Sequence, residues 1–368
     1  MKLVDKTIFI LSPQDWEHIK VSKHHYAMAL AYRGNDVYFV NPPQKGLKYL
    51  LIKKIKVQKN LTIVNHSLWF PYNLKFHFTS LFKFLLRIHI FRLKSLKSKI
   101  DLIWSFTALY PELNKFNSSK VIYHQVDNIM GPGYTEPAFT SNIVLGVAES
   151  ILDRFNHNKK FLIEHGLSQW FIKEEYYSWE KKNETINVCY CGNLALLSID
   201  REIIKEIVSS YTAINFHFIG PFSDTDESFV RFKEMLEKAK NVKLYGKIEP
   251  KEIAELYVNM DAFLICYDRQ STFAQSRNKS SNSHKILEYL STGRVIISTN
   301  MSSYNTKSDL LEMLDSDSNK DYIKLFDKVI KKLSYYNSNE KLNSRIQYAR
   351  RNSYQNQIKK IEDIIQNL

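Results

Sequence analysis

Short apolar runs closed by a polar residue recur along the chain, and most are followed by a stretch with helical spacing. Thr7-Ile-Phe-Ile-Leu-Ser is the first such run, the pattern of a parallel strand buried on both faces. Residues 20–33 then predict a helix ended by Gly34-Asn-Asp, and Val37-Tyr-Phe-Val predicts a second strand. Leu61-Thr-Ile-Val, Asp101-Leu-Ile-Trp-Ser-Phe and Val121-Ile-Tyr-His read as further strands. Ile143-Val-Leu-Gly-Val-Ala enters a helix near Glu149, and Phe161-Leu-Ile-Glu closes the set. Strands alternating with helices predict an α/β fold with a doubly wound parallel sheet.

A polar, charged stretch over residues 171–186 interrupts the pattern and reads as a linker. The alternation then restarts with Asn187-Val-Cys-Tyr-Cys-Gly, a helix from Arg201, and Asn215-Phe-His-Phe-Ile-Gly. Helices at 226–239, 250–259 and 283–291 alternate with Val242-Lys-Leu-Tyr-Gly, Ala262-Phe-Leu-Ile-Cys-Tyr and Val295-Ile-Ile-Ser. The expected organisation is therefore two Rossmann-like domains, 1–170 and 187–345, facing a cleft. A C-terminal helix over 346–368, with Ile358, Ile361 and Ile365 on one stripe, is expected to pack back across the domains.

Length and composition suit this picture: 368 residues are enough for about two domains, and 44% apolar with 24% charged residues is ordinary for a globular chain. Cys189, Cys191 and Cys266 fit neither a disulfide framework nor a zinc site and read as small buried apolar residues. The N-terminus lacks the apolar core of a signal peptide, and no run of about 18 apolar residues could span a bilayer.

Charge adds a second theme. The net charge is +14, and no acidic residue lies between Asp36 and Asp101, where thirteen Lys and Arg residues accumulate. They are interleaved with apolar residues, and 76–98 predicts a basic amphipathic helix with Lys83, Arg87 and Lys94 on one face beside Phe78, Leu81, Phe82 and Leu85. Such helices lie in the headgroup zone of anionic membranes, each basic residue adding about 1 kcal/mol. A solvated helix packing on its own sheet and a nucleic-acid surface are the alternatives, and nucleic acid is the weakest of the three.

Candidate chemistry gathers at strand ends of the second half. Gly192-Asn193, Gly220-Pro221 and Gly246-Lys247 follow strands, where a glycine lets a ligand approach the backbone. Ser283-His284-Lys285 opens a helix, where free amides and a lysine suit a phosphate, and Glu288 one turn on suits the hydroxyls of a ribose. Gly293 suits the helix end.

From Asn187 to Ser298 the chain resembles the nucleotide-binding half of GT-B glycosyltransferases. The likeness rests on the glycine turn after the first strand, the strand ending in Gly220-Pro221, and Lys285-x-x-Glu288-Tyr289-x-x-x-Gly293-x-Val295. Ser12-Pro-Gln-Asp-Trp, the run from His24 to Val37, and Glu164-His-Gly-Leu are similar to the first half of the same family, and the pattern resembles bacterial polysaccharide transferases such as the xanthan glucuronosyltransferase. The resemblance implies transfer of a sugar from a nucleotide-diphosphate donor, a UDP-sugar first, to a saccharide acceptor, one linked to a polyprenyl diphosphate in first place. It implies Asp127 as general base, His124 as alternative base or sugar contact, Tyr267 beside the nucleotide base, Ser283 and Lys285 at the diphosphate, and Glu288 at the ribose. No cofactor or metal is expected, since Lys285 supplies the positive charge and Asp224-Thr-Asp226 sits in a polar loop. Ser280 stands where many retaining members carry a Glu, so inversion is expected; Lys247 stands where the glucuronosyltransferase carries a Glu, leaving the sugar open. The implied location is cytoplasmic, peripheral at the inner face of the cell membrane. A dinucleotide enzyme lacks its glycine fingerprint here, whereas a non-catalytic, membrane-associated nucleotide-sugar-binding scaffold and a retaining transferase, both of the same fold, stay open.

Overall fold

The computed structural model describes residues 1–368 except 19, 45–51, 128–130, 132, 174–184, 223–226, 271–283 and 308. The chain forms two compact units: Met1–Gly166 with Tyr354–Leu368, and Leu167–Ser353.

In the first unit eight strands lie in the order β3-β4-β2-β1-β5-β6-β7-β8. These are β1 (Thr7–Leu11), β2 (Asp36–Val40), β3 (Lys53–Gln58), β4 (Leu61–Asn65), β5 (Leu102–Ser105), β6 (Lys120–Gln125), β7 (Ile143–Gly146) and β8 (Lys160–Leu162). All neighbours run parallel except β3, which pairs antiparallel with β4 through a tight hairpin. The central strands were legible because they are continuous apolar runs buried on both faces. β3 was not, since Lys53-Lys-Ile-Lys-Val-Gln is an exposed edge strand whose lysines discourage further strand pairing.

Helix α1 (Ser22–Tyr32) packs Tyr26, Ala27 and Leu30 on one face of this sheet. The opposite face is covered by α3 (Thr79–Lys94), which buries Phe82, Leu86, Ile90 and Leu93. The helix expected over 76–98 is broken: α2 (Leu74–His77) ends at Phe78, whose φ of −135° leaves the helical region before α3 starts. A short α4 (Glu149–Leu152) follows β7.

The second unit carries six parallel strands in the order β11-β10-β9-β12-β13-β14. They are β9 (Ile186–Cys191), β10 (Ile214–Ile219), β11 (Val242–Gly246), β12 (Ala262–Ile265), β13 (Val295–Ser298) and β14 (Glu312–Met313). Helices α5 (Arg201–Ser210), α6 (Glu227–Lys238), α7 (Pro250–Tyr257) and α8 (His284–Leu290) alternate with them. Three more, α9 (Tyr322–Lys331), α10 (Leu333–Tyr336) and α11 (Asn339–Arg351), complete the unit. All three cysteines are buried free thiols.

The last helix, α12 (Tyr354–Gln366), belongs to the first unit. Ile358, Ile361 and Ile365 enter the α1-side core, and both carboxylate oxygens of Glu362 accept from Arg33 Nη2 at 2.8 Å. Leu167 and Ser353 are bridged, so the chain leaves the first unit and returns to it at adjacent positions.

Four histidines of the first unit are held neutral. His24 accepts from the Val21 amide and donates to the Asp15 carbonyl. His66 donates to the Asn41 carbonyl at 2.9 Å, which leaves its Nδ1 to accept from His89 Nε2 at 3.0 Å. Trp104 donates to His124 Nδ1. Burial is the leading cause that lowers His24 and His66 to about 4 and His89 and His124 to about 3. Below about pH 6.5 the unfolded chain takes up these protons while the native unit does not, so stability falls as pH drops towards 4. Urea titrations over this window should show the first unit losing up to about 1.4 kcal/mol per pH unit for each histidine. A flat stability between pH 7 and 4.5 would contradict the buried neutral set.

Candidate active site

Parallel strands joined by right-handed crossovers send every strand-to-helix loop to the same edge of the sheet, and the crevice opens where the winding reverses. In the second unit the chain winds from β9 through β10 to β11, then returns to the other side of β9 as β12. The reversal therefore lies between β9 and β12. Cys191-Gly192-Asn193 leaves the first of these strands and Cys266-Tyr267 the second.

Helix α8 is fastened to this point by Tyr289. Its hydroxyl accepts from the Cys191 amide at 2.7 Å and donates to the Cys191 carbonyl at 3.1 Å, while its ring stacks on Phe263. Lys285 lies one turn earlier on the same face. Its ammonium is 3.8 Å from Cys191 Sγ and 3.3 Å from Glu288 Oε2. His284 Nε2 stands 3.9 Å from the other Glu288 oxygen, so Glu288 is flanked by both. Burial pushes the Glu288 carboxyl above the usual carboxylate range, with Lys285 opposing. For Lys285 burial works against the charge, but Cys191 and Glu288 outweigh it and the amine stands above its ordinary value; Tyr267 adds to the same effect. Lys285, Glu288, His284 and Tyr267 are thus gathered beside Gly192. Ser283, like Ser280 and Asp224-Thr-Asp226, lies outside the described residues.

The other strand-end glycines join the same edge. Gly192 donates to the Ile219 carbonyl at 2.8 Å, and Gly220 donates to the Gly246 carbonyl at 2.8 Å. Gly220 is required by packing: at φ +142° its missing Cβ would sit 1.7 Å from the Gly192 carbonyl oxygen. Gly246, at φ +66°, faces open space. Asn193 is exposed and its side chain accepts from the Ala195 amide at 3.0 Å, forming an Asx turn, and Lys247 is exposed.

In the first unit the winding reverses between β1 and β5. Asp127, two residues beyond β6, is exposed, whereas His124 is enclosed by Tyr26, Trp104 and Phe106 with its Nε2 buried. Sequence reasoning missed Lys23, which opens α1 only 1% exposed. Burial lowers its amine below the ordinary lysine value, and the Asp127 charge pulls the other way. Ser22 Oγ and His165 Nδ1 share a hydrogen bond at 3.0 Å, and both Lys23 and His165 act on His124 through their charge. A lone lysine beside Ser22 looks like a solvated helix start, so no local signal marked it. Lys83 and Arg87 are engaged within the unit, by Glu136 at 2.9 Å and by a fork to Glu112 at 2.7 Å.

Comparison with solved structures places this arrangement. Sucrose-phosphate synthase from Thermosynechococcus elongatus superimposes with a TM-score of 0.67 at 11% identity, over 98% of each chain. HepE of Anabaena, solved in complex with UDP and glucose, gives 0.67 at 10% identity over 99% of this chain and all of its own (100%). WaaG, a glycosyltransferase involved in lipopolysaccharide biosynthesis, gives 0.65 at 12% over 98% and 99%. The fold is GT-B, with two doubly wound units on one chain. Residues 200–363 match the family described as glycosyl transferase-like. No curated protein matches it in sequence.

Gly220 and Gly246 differ in what a side chain would meet. Gly220→Ala should cost the second unit about 3 kcal/mol or more, from overpacking and strain together. Gly246→Ala should cost only about 1–2 kcal/mol, the left-handed penalty alone. Chemical denaturation of the two variants checks the order; equal costs would contradict the close approach at Gly192.

Proposed function

We propose that the protein transfers a glycosyl group from a nucleoside-diphosphate sugar, a UDP-sugar in first place, to a saccharide acceptor. The observation that carries this reading is the grouping of Lys285, Glu288 and Tyr267 with the Gly192 turn at the winding reversal of the glycosyl transferase-like unit. HepE, which shares the fold, holds UDP and glucose. In this reading Lys285 meets the departing diphosphate as a buried ammonium whose charge Glu288 maintains, and no metal ion is needed. Glu288 accepts the ribose hydroxyls, Tyr267 lies against the base, and Gly192, Asn193, Gly246 and Lys247 line the backbone side.

The acceptor hydroxyl loses its proton to Asp127 as its oxygen attacks the anomeric carbon. The bond to the β-phosphate oxygen breaks with its electron pair, leaving UDP, and the configuration inverts. Asp127 is exposed and open to an acceptor hydroxyl, whereas His124 is enclosed and held at a pKa of about 3. The acceptor is a saccharide, lipid-linked in first place, in surface polysaccharide or glycan assembly. The working surface is an anionic membrane, at the cytoplasmic face.

UDP should raise the melting temperature without added magnesium, and Lys285→Ala should weaken UDP by about 1.5–3 kcal/mol, the range for a charged hydrogen bond. A shift that requires Mg²⁺ or Mn²⁺ would overturn the metal-free donor site. Asp127→Asn should abolish transfer with UDP affinity kept. Near wild-type turnover would remove Asp127 as base, and retained anomeric configuration by NMR would remove inversion.

A further inference from the structure

Helix α3 is apolar on two sides. Phe82, Leu86, Ile90 and Leu93 serve its own core. Leu81, Phe84, Ile88 and Phe91, spaced by three, four and three, make a second stripe on the solvent side, where Phe84 and Phe91 are 56% and 69% exposed. Phe76 and Phe78, at the break before the helix, are 68% and 62% exposed. One stripe is enough to pack a surface helix; a second, this rich in phenylalanine, marks a surface that something covers.

Charge selects what covers it. Among the described residues of the basic block between Asp36 and Asp101, acidic side chains engage Lys83, Arg87, Lys97 and Lys99. Lys83 and Arg87 belong to α3 itself, so two of the charges on this helix are partnered within the unit. The remaining excess, with Lys94 on α3 and the exposed Lys53, Lys54 and Lys56 of β3, is uniformly cationic. Two copies of this unit joined along the stripe would bring like charges together, whereas an anionic lipid surface meets both the charge and the apolar face.

We infer that α3 lies in the headgroup zone of an anionic bilayer with Phe84, Ile88 and Phe91 inserted among the acyl chains. Insertion carries the attachment, and the lysines guide it. The inference rests on the reading that the protein works at an anionic membrane, and goes beyond it by naming the inserted face. Burial of apolar area is not screened by salt, so binding retains a salt-resistant part.

The test is flotation of the full chain with phosphatidylcholine vesicles containing phosphatidylglycerol, at low salt and at 1 M salt. The expected result is binding that weakens but persists at high salt, and a loss of tenfold or more in the exposed-face variant Phe84→Ser/Ile88→Ser/Phe91→Ser. That variant should keep the wild-type melting temperature and UDP affinity. A single Phe84→Trp variant gives a second readout, a blue-shifted emission on adding vesicles. Binding that vanishes at 1 M salt and ignores the triple variant overturns insertion but leaves attachment by charge standing. No binding by the wild type at low salt overturns both. A wild-type dimer in sedimentation that the triple variant dissolves assigns the stripe to a second copy and overturns the inference.

Discussion

A parallel strand cannot turn straight back into its neighbour; the chain must cross over and begin again from the same end. That constraint fixes nearly everything functional in both sheets, because it sends each loop that leaves a strand to one edge. Gly192, Tyr267, Gly220 and Gly246 are far apart in sequence and come to a single edge for this reason alone. Tyr289 then pins α8 to the end of β9 through both polar groups of the Cys191 backbone, which sets Lys285 and Glu288 against the same turn. Replacing that hydroxyl would leave a buried amide and carbonyl without their partner.

The buried strands were readable because a strand covered on both faces must be apolar at every position, and such runs are rare by chance. The edge strand β3 has no buried face to impose a pattern, so its lysines hid it. Helix α3 was foreseen but its start was misplaced: apolar residues on two sides blur the periodicity, and the break at Phe78 is marked by neither proline nor glycine. In the site, Lys285 and Glu288 were legible because their spacing of three puts them on one helical face. The meaning of the glycines was not. A glycine that leaves room for a ligand and one that leaves room for a neighbouring carbonyl, as Gly220 does, look alike in a sequence.

The two units also differ in how they hold charge. The first buries Lys23 with Asp127 as its opposing charge and keeps four histidines neutral by burial, three of them, His24, His66 and His124, with Nδ1 accepting from a donor. The second places an ammonium and a carboxylate side by side at the end of a strand. A neutral interior tolerates little protonation, whereas a paired one stays polar enough to receive a charged ligand without rebuilding itself.

The first unit is made of the two ends of the chain. Its α1-side core includes Ile358, Ile361 and Ile365, and Arg33 finds its carboxylate on Glu362. On the ribosome, the strands of that unit emerge first yet stay without their last helix until all of residues 167–353 have been made. At translation rates of about 5–20 residues per second, that delay is roughly ten to forty seconds. The second unit, continuous in the chain, has everything it needs and can fold in the meantime. The order of birth and the order of completion are therefore reversed, and a nascent chain cut anywhere before Tyr354 carries a finished second unit and an open first unit.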